Sequence, residues 1–125
     1  MPRQALVYPD LSYKVVGLIF QVYNDLGFGY QEKYYQRALA SALGESKLSF
    51  RRENPYEIDY KGKLIGKYFV DFVIEEKIAL EIKVSKGIYR RHLTQLLGYL
   101  KHANLRLGIL AAVTPEGVVL ERIAN

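Results

Sequence analysis

The chain reads as an α/β domain: a mixed β-sheet covered by helices on both faces. Three observations predict this. Two amphipathic helical stripes come before any strand signal, and a third lies among the strands. The stretch Leu105 to Val113 is almost wholly apolar, as expected of a strand buried on both faces. The resulting order is helix, helix, three strands, helix, two strands. No repeat, linker or low-complexity tract interrupts it, so residues 1–125 are expected to form one domain.

Residues 1–10 read as an irregular lead ending in Pro9-Asp10. From Ser12 to Leu26, Val15, Ile19, Val22, Tyr23 and Leu26 recur at helical spacing, and Gly27 supplies a stop. After the turn Phe28-Gly29-Tyr30, a second helix from about Gln31 to Leu43 turns Tyr35, Ala38, Leu39 and Ala42 inward, with Gly44 as its expected end. Leu48 to Tyr60 reads as a strand in which Pro55 marks an edge or a bulge. Lys61-Gly62-Lys63 is a turn into the two central strands. Gly87 opens a helix over about Ile88 to Ala103 with Tyr89, Leu93, Leu96, Leu97 and Leu100 as its core face. Thr114-Pro115-Glu116-Gly117 then turns the chain into a closing strand, Val118 to Ile123.

The central strands carry the chemistry. Tyr68 to Ile74 and Ile78 to Val84 are rich in β-branched and aromatic residues, with Glu75-Glu76-Lys77 between them. Three charges sit inside these apolar runs: Asp71, Glu81 and Lys83. A charge on a buried strand is costly unless it is paired or holds a metal. Glu81 and Lys83, two apart, project to the same face. With a three-residue loop, Ile74 pairs with Ile78 and Asp71 falls opposite Glu81, so all three meet on one side of the sheet. A two-residue loop would scatter them; the three-residue loop is the expectation. Two adjacent carboxylates repel unless a cation lies between them. Magnesium accepts one or two carboxylates, waters and phosphate oxygens, and a lysine beside it can act on the attacking water. The plainer alternative is an exposed ion-pair cluster on a surface hairpin.

Cysteine is absent, which excludes disulfides, thiolate zinc sites and cysteine nucleophiles. No apolar run is long enough to span a bilayer, so no membrane role is expected. The lead lacks a hydrophobic signal segment, and a cytoplasmic protein is the simple expectation. The formal charge is +5, and between Lys83 and Glu116 there is no acidic residue. Lys86, Arg90, Arg91 and Lys101 fall in that interval, as does Arg106. A basic segment next to a carboxylate cluster suits a polyanion whose phosphate must reach a metal. A well-solvated helix face accounts for the charge equally well.

Glu32 lies in the first turn of the second helix, where the dipole favours an anion, and leans towards the stripe of Tyr35 and Leu39. It reads either as a dipole-compensating residue or as a third acid approaching the site. On the last long helix Arg91, Gln95 and His102 share the polar side, with Gly98 leaving space. His92 and His102 lack a partner pattern for zinc or a general-base dyad and read as helix-surface residues. The eleven tyrosines suit core and edge packing; Tyr30, Tyr34, Tyr35, Tyr89 and Tyr99 have the type, though not a required spacing, for stacking on bases.

Gly29-Tyr30-Gln31-Glu32-Lys33-Tyr34-Tyr35 resembles the glycine, glutamate, tyrosine signature of the GxxExxY proteins. Asp71, then Glu81-Ile82-Lys83, then Gln95-Leu96-Leu97-Gly98-Tyr99-Leu100 follow in that family's order, from the first helix to the C-terminus. That family is placed in the PD-(D/E)XK nuclease superfamily. The resemblance implies a restriction-endonuclease-like three-layer α/β/α sandwich around a mixed sheet. It also implies a nuclease that hydrolyses phosphodiester bonds in DNA, or RNA, with a metal-activated water. Asp71, Glu81 and the Ile82 carbonyl would hold Mg2+, with Mn2+ as substitute. Lys83 would act on the water, and Glu32 and Gln95 would complete the catalytic set. Val70 stands where the superfamily's name places proline. The expected partner is nucleic acid, DNA first, and a homodimer suits an enzyme whose single centre cuts one strand. The alternative is an inactive nucleic-acid-binding or protein-interaction module that keeps the fold.

Overall fold

The computed structural model describes residues 7–125. Its elements run α1 (Pro9–Leu26), α2 (Glu32–Glu45), β1 (Phe50–Tyr60), β2 (Lys63–Ile74), β3 (Ile78–Val84), α3 (Arg90–Ala103), β4 (Leu107–Thr114) and β5 (Gly117–Ala124). Type and order agree with the sequence reading. Part of the expected irregular lead is helical, because Pro9 occupies the first position of α1, where a missing N–H costs nothing. Residues 1–6 of that lead lie outside the described residues.

The strands form one sheet in the order β1-β2-β3-β4-β5, with β3 and β4 parallel and the other neighbours antiparallel. Helices α1 and α2 cover one face through Val15, Ile19, Tyr35, Leu39 and Leu43, against Phe72, Ile74, Leu80, Ile109 and Val113. Helix α3 covers the other, with Leu96, Tyr99 and Leu100 against Val70, Val73, Ala79 and Leu110. This is a three-layer α/β/α sandwich. Strand β4 is buried along its whole length, and β1, which contains Pro55, is an edge strand.

Three details of the sequence reading change. Helix α2 does not stop at Gly44 but at Glu45. Lys47 takes the left-handed position (φ 59°), and the Leu48 N–H donates to the Leu43 carbonyl, closing the helix end with a non-glycine residue. Tyr89 is not on the core face of α3 but precedes the helix, partly exposed. Tyr99 and Tyr35, considered for base stacking, are buried. Helix α3 also lies very close to β4: a Cβ on Gly108 would come within 3.1 Å of Leu96 and Leu100.

The β2–β3 loop has the expected three-residue length, since Ile74 pairs with Ile78, Val73 with Ala79 and Phe72 with Leu80. Its backbone is unusual. Glu75 and Glu76 both adopt left-handed conformations (φ 54° and 53°), which disfavour side chains bearing a Cβ. Both carboxylates tie the loop to the strand beside it. Glu75 accepts from the Ser49 amide and hydroxyl, and Glu76 from both Arg51 guanidinium donors at 2.8 Å. The loop charges therefore tie the β2–β3 turn to the start of β1.

Candidate active site

The ladder between β2 and β3 is only three pairs long. Beyond Phe72 and Leu80 the strands part, and the carboxylates of Asp71 and Glu81 occupy the fork. The Asp71 N–H donates to Glu81 Oε1 at 3.1 Å, and the Ile82 N–H donates to Asp71 Oδ2 at 2.7 Å. Each side chain thus satisfies a backbone donor on the opposite strand. The acids meet where the two strands part. The local cause is visible in β2: Val70 packs with α3 while Phe72, two residues on, packs with α1 and α2, so alternation breaks at Asp71. Across β1, Glu53 takes φ 52° between Arg52 and Asn54, the partners of Phe72 and Val70.

Glu81 is 1% exposed, and the Lys83 Nζ stands 3.4 Å from its Oε2. Burial raises the Asp71 carboxyl to about 6; Glu32 adds to the rise, while the Ile82 amide and Lys83 oppose it. Burial and then the Asp71 charge raise Glu81 to about 7, against the pull of Lys83 and the Asp71 amide. Two acids held together and pushed towards protonation form a donor pair that a divalent cation would suit. Among the described residues no group of three His, Cys, Asp or Glu side chains converges to hold a metal. Any further ligands would be water, a backbone carbonyl such as that of Ile82, and a phosphate oxygen.

Glu32 reaches the site without joining the pair. Its Oε1 accepts from the Val84 N–H at 2.9 Å, pinning the end of β3 to α2, and its charge is felt at Asp71. The glycine-to-tyrosine stretch around it has a physical role. Gly29 is at φ 125°, and the buried Tyr35 donates its hydroxyl to the Gly27 carbonyl, so the start of α2 is fixed where Glu32 meets β3.

Two neighbours of the acids were missed from sequence. Gln36, one turn after Glu32, lies near Asp71 and favours its charged form; the i, i+4 spacing was the available signal. Tyr68 lies close enough to Glu81 to interact with it, and its own ionisation is pushed up by burial and by the two carboxylates. His92, read as a surface residue, lies close enough to Lys83 and Glu32 to feel both charges. Burial and Lys83 lower its pKa, and its Nδ1 is shielded without a hydrogen-bond partner.

Gln95 lies on the exposed side of α3 and shares a cleft with Tyr68. His102, on the same stripe, is exposed as expected of a helix-surface residue, and its ring stacks on Tyr56 at 4.4 Å. Lys86, Arg90 and Arg91 are exposed around the start of α3, where Arg91 covers the Tyr89 ring at 4.9 Å. Lys101 is exposed in the last turn, roughly 16 Å further along the helix axis, and so apart from the other three.

A search of the curated proteins finds no match to the sequence. Among solved structures the chain is similar to that of SSO0001, with a TM-score of 0.58 and 24% identity over 94% of this chain and 59% of the other. The chain therefore spans about three-fifths of that protein's length. It is also similar to an alkaline exonuclease (LHK-Exo) from Laribacter hongkongensis, with a TM-score of 0.54 and 11% identity, covering all of this chain and 72% of the exonuclease. Both likenesses show the fold. A family model described as PD-(D/E)XK nuclease superfamily matches residues 9–118, nearly the whole sandwich and every acid of the fork: the chain belongs to that superfamily.

Proposed function

We propose that this protein is a metal-dependent nuclease that hydrolyses phosphodiester bonds in DNA or RNA at the fork between β2 and β3, and that within its superfamily it is a GxxExxY protein. The observation that carries this is the reciprocal engagement of Asp71 and Glu81, with the Lys83 ammonium 3.4 Å from Glu81. A surface ion-pair cluster would not bury a glutamate in company that raises its pKa. Asp71, Glu81 and the Ile82 carbonyl are the residues to hold Mg2+ or Mn2+, which when bound would neutralise the carboxylates and polarise the phosphate.

The chain's own residues do the rest. The Ile82 amide and Gln36 orient Asp71, and Tyr68 with Lys83 orients Glu81. Lys83 positions the attacking water and meets the negative charge that builds on the phosphate. Glu32 holds β3 in place at Val84. Lys86, Arg90 and Arg91 receive flanking phosphates. Two arginines in the first turn of a helix oppose its dipole, a cost that a bound polyanion would offset. Lys101 contributes only to the far end of that surface, and Gln95 approaches the substrate from α3.

Supercoiled, linear and single-stranded DNA, and RNA, incubated with Mg2+, Mn2+ or chelator, test the reading. Cleavage should require the metal and fall at least a hundredfold in Asp71→Ala and Lys83→Ala while the fold is kept. Equal cutting by both variants would reject the site. Nucleic-acid binding by a wild-type protein that cuts nothing would instead favour the inactive-module reading, which the exposed arginines alone would support.

A further inference from the structure

Between α3 and the β1–β2 hairpin lies an open cleft of about 230 Å3, lined by Tyr56, Ile58, Lys67, Tyr68, Thr94 and Gly98 along with Gln95. Its position is set by backbone. Gly98 leaves the wall of α3 bare, and Tyr56 approaches to 3.6 Å from where a Cβ would stand, while His102 stacks on the Tyr56 ring and holds it upright. The volume is below the roughly 300–1,000 Å3 of a small-molecule pocket, a size for one planar group rather than a stacked run. The walls are two tyrosine rings and an isoleucine, and the lining carries one cation and no acid. Tyr68 belongs to both places: it lines the cleft, and it is a neighbour of Glu81 on the strand that carries Asp71. Whatever enters the cleft therefore lies one side chain from the acid pair.

We propose that this cleft is a nucleobase pocket, which receives the base next to the phosphate held at the acid pair. The inference rests on the nuclease reading for what that phosphate is. An aromatic-walled slot with a single lysine and no carboxylate suits a flat, weakly polar ring tethered to an anionic backbone. A base in a duplex is stacked and paired and does not reach such a slot. The bound nucleotide is therefore single-stranded or extruded from its helix. The protein accordingly prefers single strands, ends or unpaired nucleotides over continuous duplex.

The test uses the full chain carrying Lys83→Ala, so that binding is read without cleavage while the acid pair is kept. Single-stranded oligonucleotides, deoxy and ribo, and a blunt duplex each carry 2-aminopurine, and binding and fluorescence are measured in Mg2+. Single strands are expected to bind more tightly than the duplex, with a change in 2-aminopurine emission; the deoxy and ribo arms tell which sugar is preferred. Thr94→Leu, placed on an exposed helix position at the cleft mouth, should weaken single-strand binding roughly tenfold, the scale of one base–aromatic stack, and abolish the emission change. Its melting temperature and duplex binding should stay unaltered. The milder Gly98→Ala, whose methyl fits at ordinary contact distance, should give a smaller loss in the same direction. Single-strand binding and emission unaffected by Thr94→Leu, or tighter binding to duplex, would overturn the pocket. The wild-type cleavage assay separates this from the nuclease reading: cutting that ignores Thr94→Leu leaves the nuclease and removes the pocket. Thr94-dependent binding without cutting does the reverse.

Discussion

Asp71 and Glu81 are bound to each other's strand rather than to each other. The Asp71 amide donates to Glu81 Oε1 at 3.1 Å, and Asp71 Oδ2 accepts from the amide next to Glu81, that of Ile82, at 2.7 Å. Two acids that repel are held by backbone donors on opposite sides of a fork. The strands cannot close over them, and the acids cannot leave without orphaning an amide. Most consequences of the site follow from this arrangement.

Isosteric amides should separate stability from chemistry. Asp71→Asn and Glu81→Gln each keep an oxygen to accept the backbone amide but remove a buried charge. In chelator at pH 7.5 each is expected to melt about 3–5 °C above the wild type, about 1 kcal/mol for a domain of this size. Both should lose the rise in melting temperature that Mg2+ gives the wild type. Melting curves with and without Mg2+ check this; a Mg2+ effect retained by either variant would place the metal elsewhere.

The pH dependence has a definite sign. Burial raises Asp71 to about 6 and Glu81 to about 7, whereas unfolded carboxylates titrate near 4. Between those limits the folded chain holds more protons than the unfolded one, so metal-free stability is greatest at the acid end and falls as pH rises through 6 to 7. Mg2+ requires both acids deprotonated, so its stabilising effect should grow through the same window. Melts from pH 5 to 8 should therefore fall with rising pH in chelator and stay nearly level in Mg2+, the two curves spreading apart as the acids deprotonate. Parallel curves would show that the acids do not titrate as a buried pair.

Glu32 offers a test of whether its role is positional. Glu32→Gln retains an oxygen for the Val84 amide, while Glu32→Ala leaves that donor without its partner. The alanine variant should lose about 1–3 kcal/mol of stability and the glutamine variant little. If the charge acts only by shaping Asp71, the glutamine variant should also lower the pH at which Mg2+ stabilisation sets in. Denaturant titrations and Mg2+-dependent melts measure the two effects separately.

Salt dependence probes the start of α3. Binding to nucleic acid should weaken as ionic strength rises, and Arg90→Ala or Arg91→Ala should each lower the slope of log affinity against log salt by about one. Lys101→Ala, at the other end of the helix, should change it less. An unchanged slope in the arginine variants would remove this surface from the phosphate path.

The sequence alone determined the secondary structure and its order, because the apolar periods of Val15 to Leu26, of the second helix and of the run Leu105 to Val113 are local properties of the chain. It also determined the β2–β3 register, since a charged tripeptide between two β-rich runs leaves few ways to pair them. The three charges stood out because an apolar strand has no local use for them. What tertiary structure decided was where those charges point. The parting of β2 from β3 depends on a break in alternation at Asp71, opposite the left-handed Glu53 of β1, and no periodic pattern encodes that. Gln36 and Tyr68 join the acids because α2 and strand β2 carry them there. Likewise His92 turned from a surface residue into a neighbour of Lys83. Electrostatic environment is a property of packing between distant segments, and here that packing buried two acids side by side and pushed both towards protonation.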